Sequence, residues 1–274
     1  MDNKNIDFAW SAVAPILSKF DFYDIKNIVG LAGFNIKILD GLGIDSSNWD
    51  KPNANQLVSE IGGRFSRFSD EIKQSFLNIV IEEILSDRYA RYSHENIEER
   101  LQYCLNRLGW KLIENKVLPI DILDLSDLNE LDLSAREDLI KAATKFRDGD
   151  LSGAILSSYA AVENVIAQTY QNNNFGEVDY GNSFQSRCKK SFEATGVYIA
   201  IDTQLSDIEW KDGDIKIFKK NLEGSVNSAA LVLQLLRNNM SDAHGTKPVI
   251  KPLAFDSIKW SQIIVRLLSE KYDV

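Results

Sequence analysis

The stretch FKKNLEGSVNSAALVLQLLRNNM, Phe218 to Met240, decides the fold. Apolar residues at Phe218, Leu222, Val226, Ala229, Leu233, Leu236 and Met240 recur at steps of three and four, the spacing that lines one side of an α-helix. At about 3.6 residues per turn this is one apolar face over roughly six turns. A helix of that length with such a face requires other helices to cover it. Gly245 stands where a left-handed residue closes a helix, and Lys247 and Pro248 follow as stop signals.

The neighbouring segments supply those helices. DLSGAILSSYAAVENVIAQTY, from Asp150, repeats Ile155, Tyr159, Val162, Ile166 and Tyr170 at helical spacing, and its many Ala and Ser residues permit close helix approach. SAREDLIKAATKFRDGD reads as a helix opened by Ser134 in a capping box with Glu137 and closed by Gly149. FQSRCKKSFEATG is a modest helix, and FDSIKWSQIIVRLLSEKY, with Asp256 as a cap, is the closing one. VYIAIDTQLSDIEWKDGDIKIF favours helix plus loop, with a small hairpin at Asp212-Gly213 as the competing reading.

The first 113 residues read as about five short helices. FAWSAVAPILSKF places Phe8, Val13, Ile16, Leu17 and Phe20 on one side. SDEIKQSFLNIVIEEILSDR has a Ser69 cap and an apolar stripe of Ile72, Phe76, Ile79, Val80 and Ile84. SHENIEERLQYCLNRLG starts at a Ser93 cap and stops at Gly109, and the GG pair of EIGGRFSRF reads as a helix break rather than a phosphate cradle. The expected class is therefore all-α: a small helical bundle over 1–113, an acidic leucine-rich connector over 114–134, and a second helical domain over 135–274.

Composition narrows the chemistry. The 274-residue chain carries a formal charge of −9, which argues against a protein that coats nucleic acid electrostatically. The charge is uneven: 114–134 holds six acids and one lysine, whereas 135–274 holds 17 Lys and Arg against 18 Asp and Glu, leaving room for a local basic groove. No run is long and apolar enough to span a membrane, and MDNKNIDFAW lacks the build of a signal peptide, so a cytoplasmic location is expected. Cys104 and Cys188 have no Cys-x-x-Cys spacing, and the two histidines form no metal-binding pattern, so neither a metal nor a cofactor is expected.

One of those histidines, His244, follows Arg237 by seven residues in RNNMSDAHG. On a continuous helix that spacing returns to the same side, about 20° away. A titrating imidazole and a fixed guanidinium on one wall suit phosphodiester cleavage, the first moving a proton and the second neutralising charge on phosphate. A histidine in the last turn of a helix also interacts well with the helix's negative end and needs no function. The loose pattern occurs a second time, at Arg88 and His94, where Ser93 interrupts the helical geometry.

RNNMSDAHG resembles the Arg-Asn…Asp-Ala-His-Gly signature of the abortive-infection C-terminal domain, a branch of the HEPN superfamily, and FRDGDLSGAILSSYAAVENVI resembles that domain's earlier helix. The resemblance covers about 135–274. It implies an up-and-down bundle of four or five helices that pairs with a second copy, bringing two Arg/His sets to one cleft, and a metal-independent endoribonuclease of an antiphage or toxin system. Arg237 would then hold the scissile phosphate, His244 would act as general acid or base, Asn238 would be a polar neighbour, and Glu163 would orient the arginine or histidine. Against these stand the ordinary readings of Asn238 as a solvent-facing residue and Glu163 as a surface ion pair. Lys216, Lys219, Lys220, Arg187, Lys189 and Lys190 are candidates for phosphate contacts beside the cleft, although such clusters are usually solvated faces. The other reading is a non-catalytic helical module for interaction or nucleotide binding. The first half matches no motif, and by analogy is a sensor or adaptor for a defence-system partner.

Overall fold

A computed structural model describes residues 4–39, 54–92, 97–123, 128, 131–178, 180–241 and 248–269. The chain divides into two compact units, Met1–Ile120 and Asp121–Val274. Among the described residues there are eleven α-helices and one two-stranded hairpin, so the class is all-α as the periodicities predict. No described helix is long and apolar enough to cross a membrane.

The first unit contains α1 (Lys4–Leu17), α2 (Phe22–Leu31), α3 (Ala54–Phe65), α4 (Asp70–Ile84) and α5 (Ile97–Asn106), followed by β1 (Trp110–Ile113) and β2 (Lys116–Pro119). Its core runs from Ala9 to Val117 and is dense in rings, with Trp10 stacked on Phe65 at 5.3 Å and Phe65 set 5.7 Å from Phe76. Val13, Ile16, Leu17 and Phe20 are buried as expected, whereas Phe8 is 39% exposed. On α4 the buried apolar positions are Phe76, Leu77, Val80, Ile81 and Ile84, with the polar Asn78 buried among them; Ile72 is 54% exposed and its neighbour Lys73 is buried instead. Lys73 gains from that place an ion pair with Asp7 at 3.0 Å and the ring of Phe65.

Two expectations for this half need correction. Gly62 and Gly63 do not break a helix; they lie inside α3, where a Cβ on Gly62 would come within 2.7 Å of the Trp10 indole nitrogen. The glycine is the space the indole needs. Residues 114–119 are not connector: they form the turn and second strand of the hairpin, with Ile113 opposite Lys116. Glu114 and Asn115 both take positive φ, 46° and 62°, as the tight turn favoured by strand twist demands. Glu82 of α4 fixes the second strand by accepting from the Val117 amide at 3.1 Å and pairing with Lys116 at 3.0 Å. The Ser93 cap and the Arg88–His94 pair cannot be followed, because Ser93 and His94 lie outside the described residues.

Among its described residues the second unit has six helices, where the resemblance implies four or five: α6 (Leu133–Arg147), α7 (Leu151–Asn172), α8 (Phe184–Thr195), α9 (Val197–Asp207), α10 (Asp212–Met240) and α11 (Lys251–Ser269). α7 is the hub, packed by α6, α8, α10 and α11. Buried residues therefore encircle it, from Gly153, Ala154 and Ile155 through Ala161 and Val162 to Thr169 and Tyr170. Helix starts differ in detail from the expected caps. Asp132, not Ser134, caps α6, accepting from the amides of Ser134 and Ala135. Asp256 is interior to α11. Val197–Asp207 is a helix and α10 begins at Asp212, which removes the hairpin alternative. Along α10, Val226, Ala230, Leu233 and Leu236 are buried, but Phe218 is 39% exposed because the helix's first turns have less cover.

Candidate functional site

The carboxyl end of α10 brings Arg237 to the hub helix. α10 stops at Met240, and Ser241 is already extended, with ψ 162°. Two serine hydroxyls take up carbonyls that the ended helix leaves free: Ser241 Oγ donates to the Arg237 carbonyl, and Ser152 Oγ, from the start of α7, donates to the Met240 carbonyl at 3.1 Å. A seven-residue spacing returns to the same side only on one continuous helix, and the described part of α10 ends at Met240. His244 and Gly245, like Asp242 and Lys247, lie outside the described residues.

Arg237 follows Val226, Ala230 and Leu233 on the inward side of α10, so its side chain runs half-buried toward α7. Its Cζ lies 5.2 Å from the centroid of the Tyr159 ring. One of its terminal nitrogens, Nη1, donates to Asn238 Oδ1 at 3.2 Å, while Nε is buried with no hydrogen-bond partner. No carboxylate pairs with Arg237 among the described residues. Asn238 itself is exposed.

Contacts continue from Tyr159 away from Arg237. The Tyr159 ring lies 4.2 Å from that of Phe184, whose other neighbour is the Arg187 guanidinium at 5.7 Å; Arg187 is also 4.8 Å from the Tyr180 ring. A close pair of rings, Tyr159 and Phe184, thus lies between the Arg237 and Arg187 guanidiniums, linking α10 across α7 to α8. Glu163, one turn beyond Tyr159 on α7, pairs with Arg187 at 3.2 Å and not with Arg237. The resemblance implies that Glu163 orients the arginine or the histidine; it makes no ion pair with Arg237, the Tyr159 hydroxyl lies beside its carboxylate, and His244 is outside the described residues.

Electrostatics follow from this packing. Burial pushes the Tyr159 phenol up to about 12, and the Glu163 charge adds to the shift while Arg187 and Arg237 oppose it. Burial likewise pushes the Cys188 thiol up to about 12. Neither group moves a proton near neutrality. The cluster holds two guanidiniums and one carboxylate, so it is locally positive in a chain of net charge −9. A half-buried guanidinium with no carboxylate partner among the described residues is less screened than a surface lysine, and its fork of donors matches phosphate or carboxylate.

The expected basic fringe is mostly committed elsewhere. Arg187 is only 5% exposed and paired, which corrects its assignment as an open phosphate contact. Lys219 pairs with Asp202 at 2.6 Å, Lys189 with Glu193 at 3.8 Å, and the Lys190 ammonium lies over the rings of Tyr170 and Phe175. Lys216 and Lys220 are exposed. Sequence reading missed Tyr159 as a site residue, although its place one turn before Glu163 on a small-residue helix is visible in the chain. Among the described residues no group of three or more His, Cys, Asp or Glu is arranged to hold a metal. The first unit has an open groove of about 570 Å³ lined by Phe8, Ser11, Glu99, Arg100, Tyr103 and Cys104 among others.

No family model, no curated protein and no solved structure matches this chain.

Proposed function

We propose that the protein is a metal-independent endoribonuclease of HEPN type, a cytoplasmic effector of an abortive-infection or toxin system, acting on RNA at a cleft completed by a second copy. The observation that carries this reading is the state of Arg237: a guanidinium half-buried against an aromatic face, with no carboxylate to neutralise it among the described residues. Such a group is suited to hold a scissile phosphate and to stabilise charge as it develops there. In the reaction, His244 takes the proton of the ribose 2′-OH as that oxygen attacks phosphorus. The bond to the 5′-oxygen breaks, and the leaving oxygen receives a proton from the second imidazole of the composite cleft. The products are a cyclic phosphate and a free 5′-hydroxyl. Asn238 stays beside Arg237 as a polar neighbour, and the first unit serves as sensor or adaptor for a defence-system partner.

The outer side of α10 supports pairing of two copies. Ile217, Leu231 and Leu235 are exposed there, with the small residues Gly224 and Ser228 between them at steps of three, four and seven, a seam on which a second helix can pack closely. Asn238 continues that seam at the carboxyl end of α10, so two copies that cross there, or pair in parallel, would bring their Arg237 neighbourhoods together. The same seam favours the second reading, a non-catalytic helical module for interaction or nucleotide binding.

The test is expression of the wild type, Arg237→Ala and His244→Ala in bacteria, with growth and RNA integrity followed. Either substitution is expected to lower cleavage on the order of 100-fold or more, to relieve growth arrest, and to leave the dimer intact. Equal cleavage by all three proteins would remove the nuclease. Absence of cleavage with a dimer that Leu231→Glu dissociates would favour the interaction module.

A further inference from the structure

We propose that Tyr159 is the positioning residue of Arg237, its ring face serving as the shelf that fixes where the guanidinium points and so where a phosphate is held. The inference rests on the reading of Arg237 as the phosphate-holding group. Its geometry does not.

The shelf is rigid. Tyr159 is only 5% exposed, belongs to the hub helix, and is backed by the Phe184 ring at 4.2 Å. Glu163, one turn along the same helix and adjacent to the hydroxyl, is itself held by Arg187 at 3.2 Å. Arg237 has much less to hold it. Among the described residues it has the ring at 5.2 Å and Asn238, the next residue in the chain, through one nitrogen. Ring and guanidinium come from helices separated by long stretches of sequence, so the contact orients the side chain relative to the hub rather than relative to its own helix.

An aromatic face also does what an acid in the same place would not. The ring quadrupole attracts the cation but consumes none of its N–H donors and cancels none of its charge. A carboxylate there would engage the donor fork in a bidentate pair and quench it as an anion site. The phenol is kept from becoming such an anion, because burial holds it protonated until about pH 12.

Two substitutions of nearly equal shape separate a positioning role from plain packing. Tyr159→Phe keeps the electron-rich face and loses the hydroxyl; trifluorophenylalanine at the same position keeps the shape and depletes the face. In the full chain, cleavage of a short RNA and the Nε–Hε nuclear magnetic resonance signal of Arg237, assigned by its loss in Arg237→Lys, are measured together with the melting temperature. Phenylalanine is expected to stay within about twofold of wild type in kcat. The fluorinated ring is expected to lower kcat roughly fivefold at unchanged melting temperature and to move the arginine signal toward that of free arginine. Identical kcat and identical arginine signals for the two rings would overturn the proposal. If the wild type cleaves no RNA, the nuclease reading fails, while the arginine signal alone still decides whether the shelf exists.

Discussion

Arg187 and Arg237 share one cluster, and their removal has different consequences. Arg187 is buried and paired, so Arg187→Ala strands the Glu163 carboxylate and the faces of Tyr180 and Phe184; a loss of about 2 kcal/mol is expected in urea unfolding, discounted because Glu163 is partly exposed. Arg237→Ala removes a charge that has no carboxylate partner among the described residues and is expected to cost less than about 1 kcal/mol. The cysteines offer a second test. Cys188 is buried with its thiol pushed up to about 12, whereas Cys104 is part-exposed beside the groove of the first unit, so an aromatic disulfide reagent at neutral pH is expected to titrate one thiol in the native protein and two after unfolding. Tyr159 gives the alkaline side. Its phenol is raised in the fold above the ordinary 10, so the stability tied to it is complete below pH 10 and is lost as pH rises toward about 12; Tyr159→Phe is expected to flatten that part of a stability–pH curve.

Elements show why some features are legible in the sequence and others are not. Long, strongly periodic helices such as α7 and α10 are readable because burial of a face forces a 3.6-residue repeat. Helix ends are not, since they turn on single side chains. Asp132 and Ser134 are equally good capping residues in isolation, and the choice of Asp132 reflects two amides that its carboxylate reaches at once. At the end of α10 the Met240 carbonyl is taken up by Ser152, a residue of another helix, which no local pattern announces. The hairpin escaped for a related reason: Glu114-Asn115 is a weak turn signal, and its strands are secured by Glu82 from α4. Gly62 is the same lesson within a helix, where the apparent breaker is a packing space. Gly62→Ala is expected to displace Trp10 from Phe65 and to lower the stability of the first unit by about 1–3 kcal/mol, read from tryptophan fluorescence during urea titration; a gain in stability would show that the indole yields freely. The candidate site divides in the same way, for Arg237 stands in a motif that the sequence displays, whereas Tyr159 reaches it only through tertiary packing.

At the scale of the whole molecule, each unit has its own interior. The core of the first is contained in residues 9 to 117, and the second is built around α7. Residues 121–274 expressed alone are therefore expected to be helical and to melt cooperatively, and to retain any anion binding that Arg237 provides. The encirclement of α7 has a further bearing on how the chain can vary. A saturation library read by survival of folded protein would give α10 a striped profile, tolerant positions alternating with intolerant ones. For α7 the profile would be nearly unbroken, because even a single added methyl at Ala154, Ala161 or Ser158 has a neighbouring helix to meet on whichever side it points. Divergent descendants of this chain would thus be traced most surely through α7, long after the remainder had drifted.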